Sequence, residues 1–188
     1  MSKTSGKKAL FAEGNVPPGG VCLSSFVVIS SGPKILVGKM SKPDVWIERF
    51  FVGPKFADFY SKSGKYMLPA RHLAWYESPM EAAEDVIKEQ LRLNMPTSKI
   101  ALIDVQSHVS GGVNNKDEPP HWDICFVYGA SLPGGQARKI KSMEWWDDLG
   151  FKPKSVLMPE HFTRGHGDVL EKAGIIGKQR KTPGKQAH

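Results

Sequence analysis

The sequence is poor in cysteine and contains no long apolar run. Its 188 residues include two cysteines, Cys22 and Cys125, which lie far apart in apolar surroundings. We expect both to be buried free thiols in a reducing cytoplasm, with a metal site or a disulfide as the alternatives. No run approaches the roughly 18–20 apolar residues that span a bilayer. No signal-type segment follows the basic N-terminus, so we predict a cytoplasmic protein without a membrane partner.

Acidic residues are absent from both ends of the chain, although the whole chain carries a net charge of +7. The basic residues of these ends account for that charge: Lys3, Lys7, Lys8, Lys178, Arg180, Lys181 and Lys185. We therefore predict flexible basic tails at 1–8 and 178–188 around a single, electrically balanced domain at 9–177. Because the domain itself is not basic, we expect nucleic acid to bind only weakly, through the tails.

The common phosphate- and metal-binding motifs are also missing. The sequence has no P-loop, no GxGxxG, no CxxC and no HExxH. Spacing alone does not identify a Ser-His-Asp arrangement, because each residue type occurs many times. Candidate chemistry is therefore concentrated in residues 68–95, LPARHLAWYESPMEAAEDVIKEQLRLNM, which read as a loop followed by an acidic helix.

Hydrophobic patterning predicts an α+β domain. β-branched and apolar runs predict these strands: VCLSSFVVI, KILVGKM, YMLP, IALIDVQSHV and HWDICFVYGASL. SSGP between the first two predicts a hairpin. The segment KSMEWWDDLG begins a further short element, and residues 159–176 predict a C-terminal helix. This order favours a sandwich with a mixed sheet and a helix on each face.

The acidic helix is predicted over residues 78–92. Ser78 is a plausible N-cap, Pro79 takes the first helical position, and Glu81 completes a capping box. Asn94 and Pro96 predict its end. One apolar stripe predicts the face that packs on the core: Ala83, Val86, Ile87 and Leu91.

Residues 71–93 resemble the Nudix box, Gly-x5-Glu-x7-Arg-Glu-apolar-x-Glu-Glu-x-Gly-apolar, in a degenerate form. The resemblance extends over roughly residues 20–176, because the hairpin ending in ILVGKM, the approach GKYMLP, the opening ESPMEAA, the strand HWDICFVYGASL, the later EWW and the C-terminal helix follow that family's order. It implies a Nudix-type α/β/α sandwich. It also implies divalent cations, Mg²⁺ or Mn²⁺, held by helix carboxylates during hydrolysis of a nucleoside diphosphate linked to another moiety.

Only part of the box's acidic set is present. Glu77 and Glu89 match box glutamates, whereas Asp85 takes the Arg position. Val86 and Gln90 replace two glutamates, which removes two formal charges from the implied metal site. The resemblance implies Glu89, Glu77 and Asp85 as catalytic residues, with Glu89 and Asp85 on the metal. The alternative is that Lys88 and Arg92 neutralise a solvated acidic stripe of Glu81, Asp85 and Glu89.

Substrate-binding candidates lie on the loop and on two strands. Arg71 replaces the first box glycine, and a guanidinium there is able to reach a phosphate directly. Lys39 lies near the end of the KILVGKM strand, while His121 and Asp123 alternate onto one face of HWDICFVYGASL. The alternative for His121 and Asp123 is that they are polar residues at a strand end.

An aromatic insertion at 41–63 separates the hairpin from the box. We read it either as two short strands or as an ordered insertion, split by Gly53-Pro54. Its aromatic residues favour core packing or a dimer interface over base stacking. Trp122, Trp145 and Trp146 are expected mostly in the core. For His166 we expect a satisfied surface residue, with a catalytic base as the alternative.

The sequence therefore predicts a divergent Nudix-type hydrolase with a weakened metal site, acting on a nucleotide-type ligand. The alternative is a non-catalytic Nudix-fold module that binds a nucleotide or a protein. A homodimer is expected for either.

Overall fold

A computed structural model describes residues 21–110, 121–137, 140 and 143–177, apart from the side chains of residues 110 and 121. The strands are β1 (Cys22–Ser31), β2 (Lys34–Met40), β3 (Ala70–His72), β4 (Ile100–Ser110), β5 (His121–Ser131) and β6 (Trp146–Pro153). The α-helices are α1 (Pro43–Phe50), α2 (Pro54–Ser63), α3 (Pro79–Asp85), α4 (Gly134–Ala137) and α5 (His166–Lys172). The predicted basic tails lie outside the described residues.

The strands form one mixed sheet. Its order is β4-β5-β1-β2-β6, and β3 pairs with β1 off this path. The β1–β5 pair is parallel and places Cys22 beside Asp123, whereas β3 runs antiparallel to β1 and places Arg71 beside Ser25. The sheet therefore brings the start of the box to the same end as the start of β5, from which two of the predicted substrate residues come.

Apolar cores lie on both faces of the sheet. On one face, α1 and α3 pack on β1, β2 and β5, while α5 packs on the opposite face. The predicted apolar stripe is confirmed, since these four side chains are almost completely buried: Ala83, Val86, Ile87 and Leu91. The arrangement confirms the predicted α+β sandwich with a mixed sheet and helices on each face.

The 41–63 segment contains two helices, α1 and α2, so of the two readings the one with two short strands was wrong, and the segment is ordered. Pro43 and Pro54 each take the first position of a helix, where the missing N–H costs nothing. Phe51, with φ 59°, ends α1. The insertion packs as predicted, since the Trp46 indole N–H donates to the Trp145 carbonyl at 2.8 Å in the core.

Three other expectations need correction. The predicted helix over 78–92 is α-helical only to Asp85 and continues as a π-helical turn, Val86–Gln90. The strand predicted at YMLP forms at 70–72 instead, preceded by isolated bridges. At the C-terminus, a 3₁₀ turn over Pro159–His161 precedes the short α5.

The tryptophan prediction holds for two of the three residues. Trp145 and Trp146 are buried, but Trp122 is 49% exposed, so its expected place in the core was wrong. Both cysteines are buried free thiols, as predicted. Among the described residues, no helix is long and apolar enough to cross a membrane.

Candidate functional site

The loop-helix begins as the sequence predicts. The Ser78 hydroxyl accepts from the Glu81 N–H at 3.2 Å, and the Glu81 carboxylate accepts from the Ser78 N–H at 2.8 Å. This capping box fixes the start of α3 and thereby the direction in which the carboxylates that follow Ser78 leave the helix.

Arg71 lies at the centre of the loop-helix. Its side chain is 4% exposed, and its Nη2 donates both to Glu77 and, at 3.0 Å, to Asp85. The guanidinium carbon also lies 5.4 Å from the centroid of the Phe51 ring, at the end of α1. Two of the three predicted catalytic carboxylates therefore share one buried guanidinium.

Glu77 is the more deeply buried of the two carboxylates. Its side chain is 2% exposed, whereas that of Asp85 is 36% exposed. The second Glu77 oxygen accepts from the Ala74 N–H at 2.8 Å, which fixes the carboxylate against the loop. Glu77 is thus held from both sides, by the loop backbone and by Arg71.

The two positions where the resemblance implies further glutamates are structural. Val86 and Gln90 are both fully buried. The Gln90 side chain donates to the Ala70 carbonyl at 2.8 Å and accepts from the Ala70 N–H at 3.2 Å. Its amide thus makes the two hydrogen bonds that a residue of a paired strand would make with Ala70. The Gln90 main-chain carbonyl accepts from two indoles, Trp145 and Trp146, at 3.0 Å each. A glutamate at either position would have to bury a charge in these surroundings.

Glu89 lies apart from the Arg71 cluster. Its carboxylate is 3.5 Å from Arg49 Nη2 and 3.6 Å from Arg92 Nη1, and the side chain is 21% exposed. Lys88 is exposed. Arg92 is therefore a partner of Glu89, as the alternative proposed. Arg49, from α1, is a second partner, and no local pattern in the sequence indicated it.

This donor set does not fit a divalent cation as the chain folds. Within the described part of the chain, no group of three His, Cys, Asp or Glu residues could hold a metal ion. Val86 supplies no oxygen, the Gln90 amide is bonded to Ala70, and Glu77 and Asp85 are already paired with Arg71. Mg²⁺ requires several oxygen ligands around one point.

A cleft opens beside Arg71, between the sheet and α5. Its polar lining comes from six elements or turns of the fold: Ser24, Arg71, His72, His108, Asp123, Cys125, Arg164 and His166. Its apolar and aromatic walls are Phe26, Val52, Phe56, Tyr60, Met67 and Val169. A concave apolar site with a few polar groups is typical of small-molecule binding.

His166 is buried in the wall of this cleft, so the expected surface position was wrong. It is 4% exposed, and its Nδ1 accepts from the Leu68 N–H at 3.0 Å. Phe26 and Tyr60 lie edge-on to its ring, with centroids at 5.0 and 5.7 Å. Burial is the main cause that lowers the His166 pKa to about 3, so the ring is neutral at pH 7.

The predicted substrate residues separate into three groups. Arg71 and Asp123 both line the cleft, and Asp123, 6% exposed, accepts from the Ser24 hydroxyl at 2.7 Å. Lys39 is not among the lining residues and lies 5.2 Å from the centroid of the Tyr66 ring. His121 begins β5 opposite Ser110, and its side chain lies outside the described residues.

Arg164 and His108 are charged or titratable groups of the cleft that the sequence analysis did not identify. Arg164 lies over the Phe56 ring, with its guanidinium carbon 4.1 Å from the centroid. His108 comes from β4, where burial and then the nearby Lys172 lower its pKa. Both reach the cleft through long-range folding, so no local motif marks them.

No protein-family model matches the sequence, and no curated protein matches it either. Solved structures do. The NUDIX domain of Shewanella oneidensis NrtR, solved with ADP ribose, superposes with a TM-score of 0.53 at 14% identity, over 85% of this chain and 92% of that one. A MutT protein from Methanosarcina mazei Go1 gives a TM-score of 0.50 at 12% identity, over 82% and 93% of the two chains.

Two longer proteins are matched only in part. The chain spans 43% of a MutT/nudix family protein from Enterococcus faecalis, at 12% identity and a TM-score of 0.47 over 70% of this chain. It spans 61% of a longer Shewanella oneidensis NrtR structure, at 17% identity and a TM-score of 0.51 over 81% of this chain. At these identities the agreement concerns only the path of the backbone, and it rests on the three matches with a TM-score of 0.50 or more.

Proposed function

We propose, since the chain has the Nudix fold, that it is a nucleotide-binding protein that does not hydrolyse its ligand through a metal. The ligand would occupy the cleft between the sheet and α5. One observation carries this proposal: the Arg71 guanidinium is already bound to Glu77 and Asp85, two of the carboxylates on which metal-dependent hydrolysis would depend.

The helix positions that lost their acids support the same conclusion. Val86 belongs to the core, and Gln90 holds the β3 backbone through two hydrogen bonds. Metal-assisted hydrolysis needs a cation that polarises the phosphoryl oxygen and activates water. Neither side chain provides a charged oxygen for that cation.

The lining of the cleft suits a nucleotide-type ligand. Tyr60 offers aromatic surface to a base. The Asp123 carboxylate, next to the Ser24 hydroxyl, suits ligand hydroxyl or amino donors. Arg164, stacked on Phe56, adds a guanidinium that suits a phosphate.

Calorimetric titration with ADP-ribose, ADP and AMP tests binding, with and without Mg²⁺, and chromatography of the same mixtures tests turnover. The choice of ADP-ribose follows the ligand of the NrtR domain. We expect binding without release of AMP. Asp123→Asn and Arg164→Ala should each weaken binding by about tenfold or more. Lys62→Ala, on the exposed side of α2, is the matched control and should not.

Absence of binding for all three probes would contradict the proposal. Metal-dependent release of AMP would instead favour the second candidate, hydrolysis of a nucleoside diphosphate linked to another moiety. The presence of Glu77, Asp85 and Glu89 on one loop-helix is what favours that candidate. Glu89→Gln should then abolish the release, because Glu89 is the carboxylate of the three that Arg71 does not bind.

A homodimer and a cytoplasmic location remain part of the proposal. β4 forms one edge of the sheet and exposes Leu102, Val105 and Val109, so two copies would bury apolar side chains by pairing there. Sedimentation velocity tests the dimer, and a monomer at micromolar concentration would contradict it. The buried free thiols, Cys22 and Cys125, are the observation that favours a reducing compartment.

A further inference from the structure

We infer that the nucleotide enters the cleft with its base first: His166 Nε2 donates to an uncharged acceptor of the base, Asp123 accepts from a base N–H, and the phosphate stays beside Arg164. This orientation rests on the proposed function. It adds the class of group that the cleft recognises, a heteroaromatic ring that offers an acceptor and a donor. Its test compares parts of one nucleotide, so the orientation can fail while nucleotide binding holds.

The polar residues of the cleft differ in burial, and this separates a deep end from a rim. Ser24, Asp123 and His166 are buried, whereas His108 and Arg164 are half-buried. All five line the same cleft. A ligand that fills the cleft therefore loses its water at the end near His166 and keeps part of it near Arg164.

His166 offers the deep end a neutral donor. Its Nδ1 accepts from the Leu68 N–H at 3.0 Å, so the neutral ring carries its hydrogen on Nε2. Phe26 and Tyr60 lie edge-on to the ring and fix its orientation. Because burial lowers the pKa of His166 to about 3, the ring brings no positive charge that would hold a phosphate. A neutral donor in a buried setting suits an uncharged acceptor, such as a ring nitrogen.

Asp123 brings a negative charge to the same end. Its Oδ2 accepts from the Ser24 hydroxyl at 2.7 Å. Burial is the main cause of the low pKa of His166, and the charge of Asp123 acts against it, which indicates that the carboxylate lies near the ring. A phosphate at this end would meet a buried charge of its own sign. The N–H of a base would instead gain a charged acceptor.

The positive charge that suits a phosphate lies at the rim. The guanidinium carbon of Arg164 is 4.1 Å from the centroid of the Phe56 ring. Arg71 also lines the cleft, but its guanidinium is already shared by two carboxylates. The cleft is thus negative at Asp123 and positive at Arg164. A nucleotide carries its charge at one end only, so this asymmetry fixes which end enters first.

Calorimetric titration of the whole protein with AMP, adenosine and ribose 5-phosphate tests the orientation, because each of the last two lacks one end of AMP. We expect adenosine to bind within about thirtyfold of AMP, and ribose 5-phosphate to bind at least about a hundredfold more weakly than AMP. If AMP, ADP or ADP-ribose binds, the orientation alone is overturned when ribose 5-phosphate binds as tightly as adenosine or neither binds. Absence of binding for all three nucleotides would overturn the proposed function as well.

Adenosine analogues that lack one ring acceptor test His166 itself. 1-Deaza-, 3-deaza- and 7-deazaadenosine each carry C–H in place of one ring nitrogen. One of them should bind the wild type about tenfold or more weakly than adenosine does. His166→Leu should abolish that difference, because the donor is then missing from the protein. His166→Gln keeps both a donor and an acceptor in the side chain, so it should retain the difference.

Two results would overturn the role of His166: equal binding of adenosine and all three analogues by the wild type, or a difference that persists in His166→Leu. The first needs no variant, so the role stays testable if His166→Leu does not fold.

Arg164→Ala should affect the two ends of the nucleotide unequally. Loss of the guanidinium should lower the affinity for AMP about tenfold more than the affinity for adenosine, because only AMP carries the phosphate. Lys62→Ala removes an exposed positive charge from α2 and is the matched control, which should leave the ratio of the two affinities unchanged. An equal loss for AMP and adenosine in Arg164→Ala would overturn the orientation.

Discussion

Arg71 and Glu77 form an ion pair across the loop between β3 and α3, and their side chains are only 4% and 2% exposed. The pair joins the strand that borders the cleft to the residue just before the helix N-cap. Because the Glu77 carboxylate also accepts from the Ala74 N–H, two side-chain contacts hold the loop within seven residues. The stability of the loop should therefore depend strongly on this pair.

Removing the charge of one member of the pair should lower the free energy of unfolding much more than removing both charges. Arg71→Met leaves Glu77 buried without its cation and should lower the free energy of unfolding by about 3–5 kcal/mol. Arg71→Met combined with Glu77→Gln removes both charges and should recover a large part of that loss. Urea unfolding of the wild type, Arg71→Met, Glu77→Gln and the double variant measures the coupling. Additive effects of the two substitutions would contradict a direct pair.

Gln90→Glu should destabilise the fold rather than restore a metal ligand. The Gln90 side chain donates to the Ala70 carbonyl, and a carboxylate in its place would lose that donor and face an acceptor in the core. We expect a loss of about 2–4 kcal/mol in urea unfolding at pH 7. Lys88→Glu adds the same side chain on the exposed side of the same turn, so it should cost less than about 1 kcal/mol. Equal losses would contradict the role assigned to Gln90.

His166 should make the protein less stable in mild acid. Its folded pKa of about 3 lies below the usual histidine pKa of 6.5, so as the pH falls below about 6.5 the unfolded chain binds a proton that the folded chain does not. The contribution is fully present above that pH, and about 2 kcal/mol of it should be lost between pH 7 and pH 5. His166→Gln should remove this part of the pH dependence.

The measurement is urea unfolding at pH 7 and pH 5, with His161→Gln as the control because His161 is exposed. The wild type and His161→Gln should show the same loss on acidification. If His166→Gln loses as much stability as they do, the buried ring is not the source of the pH dependence.

Gly167 should not tolerate alanine. A Cβ at this position would lie 2.4 Å from the Pro159 carbonyl oxygen, which belongs to backbone and cannot turn aside. Gly167→Ala should lower the free energy of unfolding by about 1–3 kcal/mol. Gly134→Ala, where no atom lies within 4 Å, is the matched control at the start of α4 and should be neutral or slightly stabilising. Equal thermal midpoints for the two variants would contradict this close approach.

The sequence predicted the parts of the fold that depend on local patterns. The capping box at Ser78 and the apolar stripe through Ile87 follow from the spacing of residues along one helix, and both are present. The 41–63 segment was harder, because its aromatic residues favour strands while Pro43 and Pro54 favour helix starts. Tertiary packing of Trp46 and Phe50 decided the outcome in favour of helices.

The sequence was sufficient to predict several residues of the candidate site, but not which side chains contact one another. Arg71, Glu77 and Asp85 all follow from comparison with the box, yet nothing in their spacing indicates that one guanidinium binds both carboxylates. Arg49 and Arg164 come from distant parts of the chain, so they meet Glu89 and the cleft only after folding. Long-range electrostatic contacts of this kind have no signature in a single sequence.

The two hydrogen bonds to the Gln90 main-chain carbonyl link tryptophan fluorescence to the π-helical turn. Trp145 and Trp146 both donate their indole N–H to that one oxygen, at 3.0 Å, and both rings are buried. Any opening of the π-helical turn would release the two indoles together and expose them to water. The emission of these two of the chain's five tryptophans would then shift to longer wavelength, so opening of the turn contributes to the change in tryptophan fluorescence.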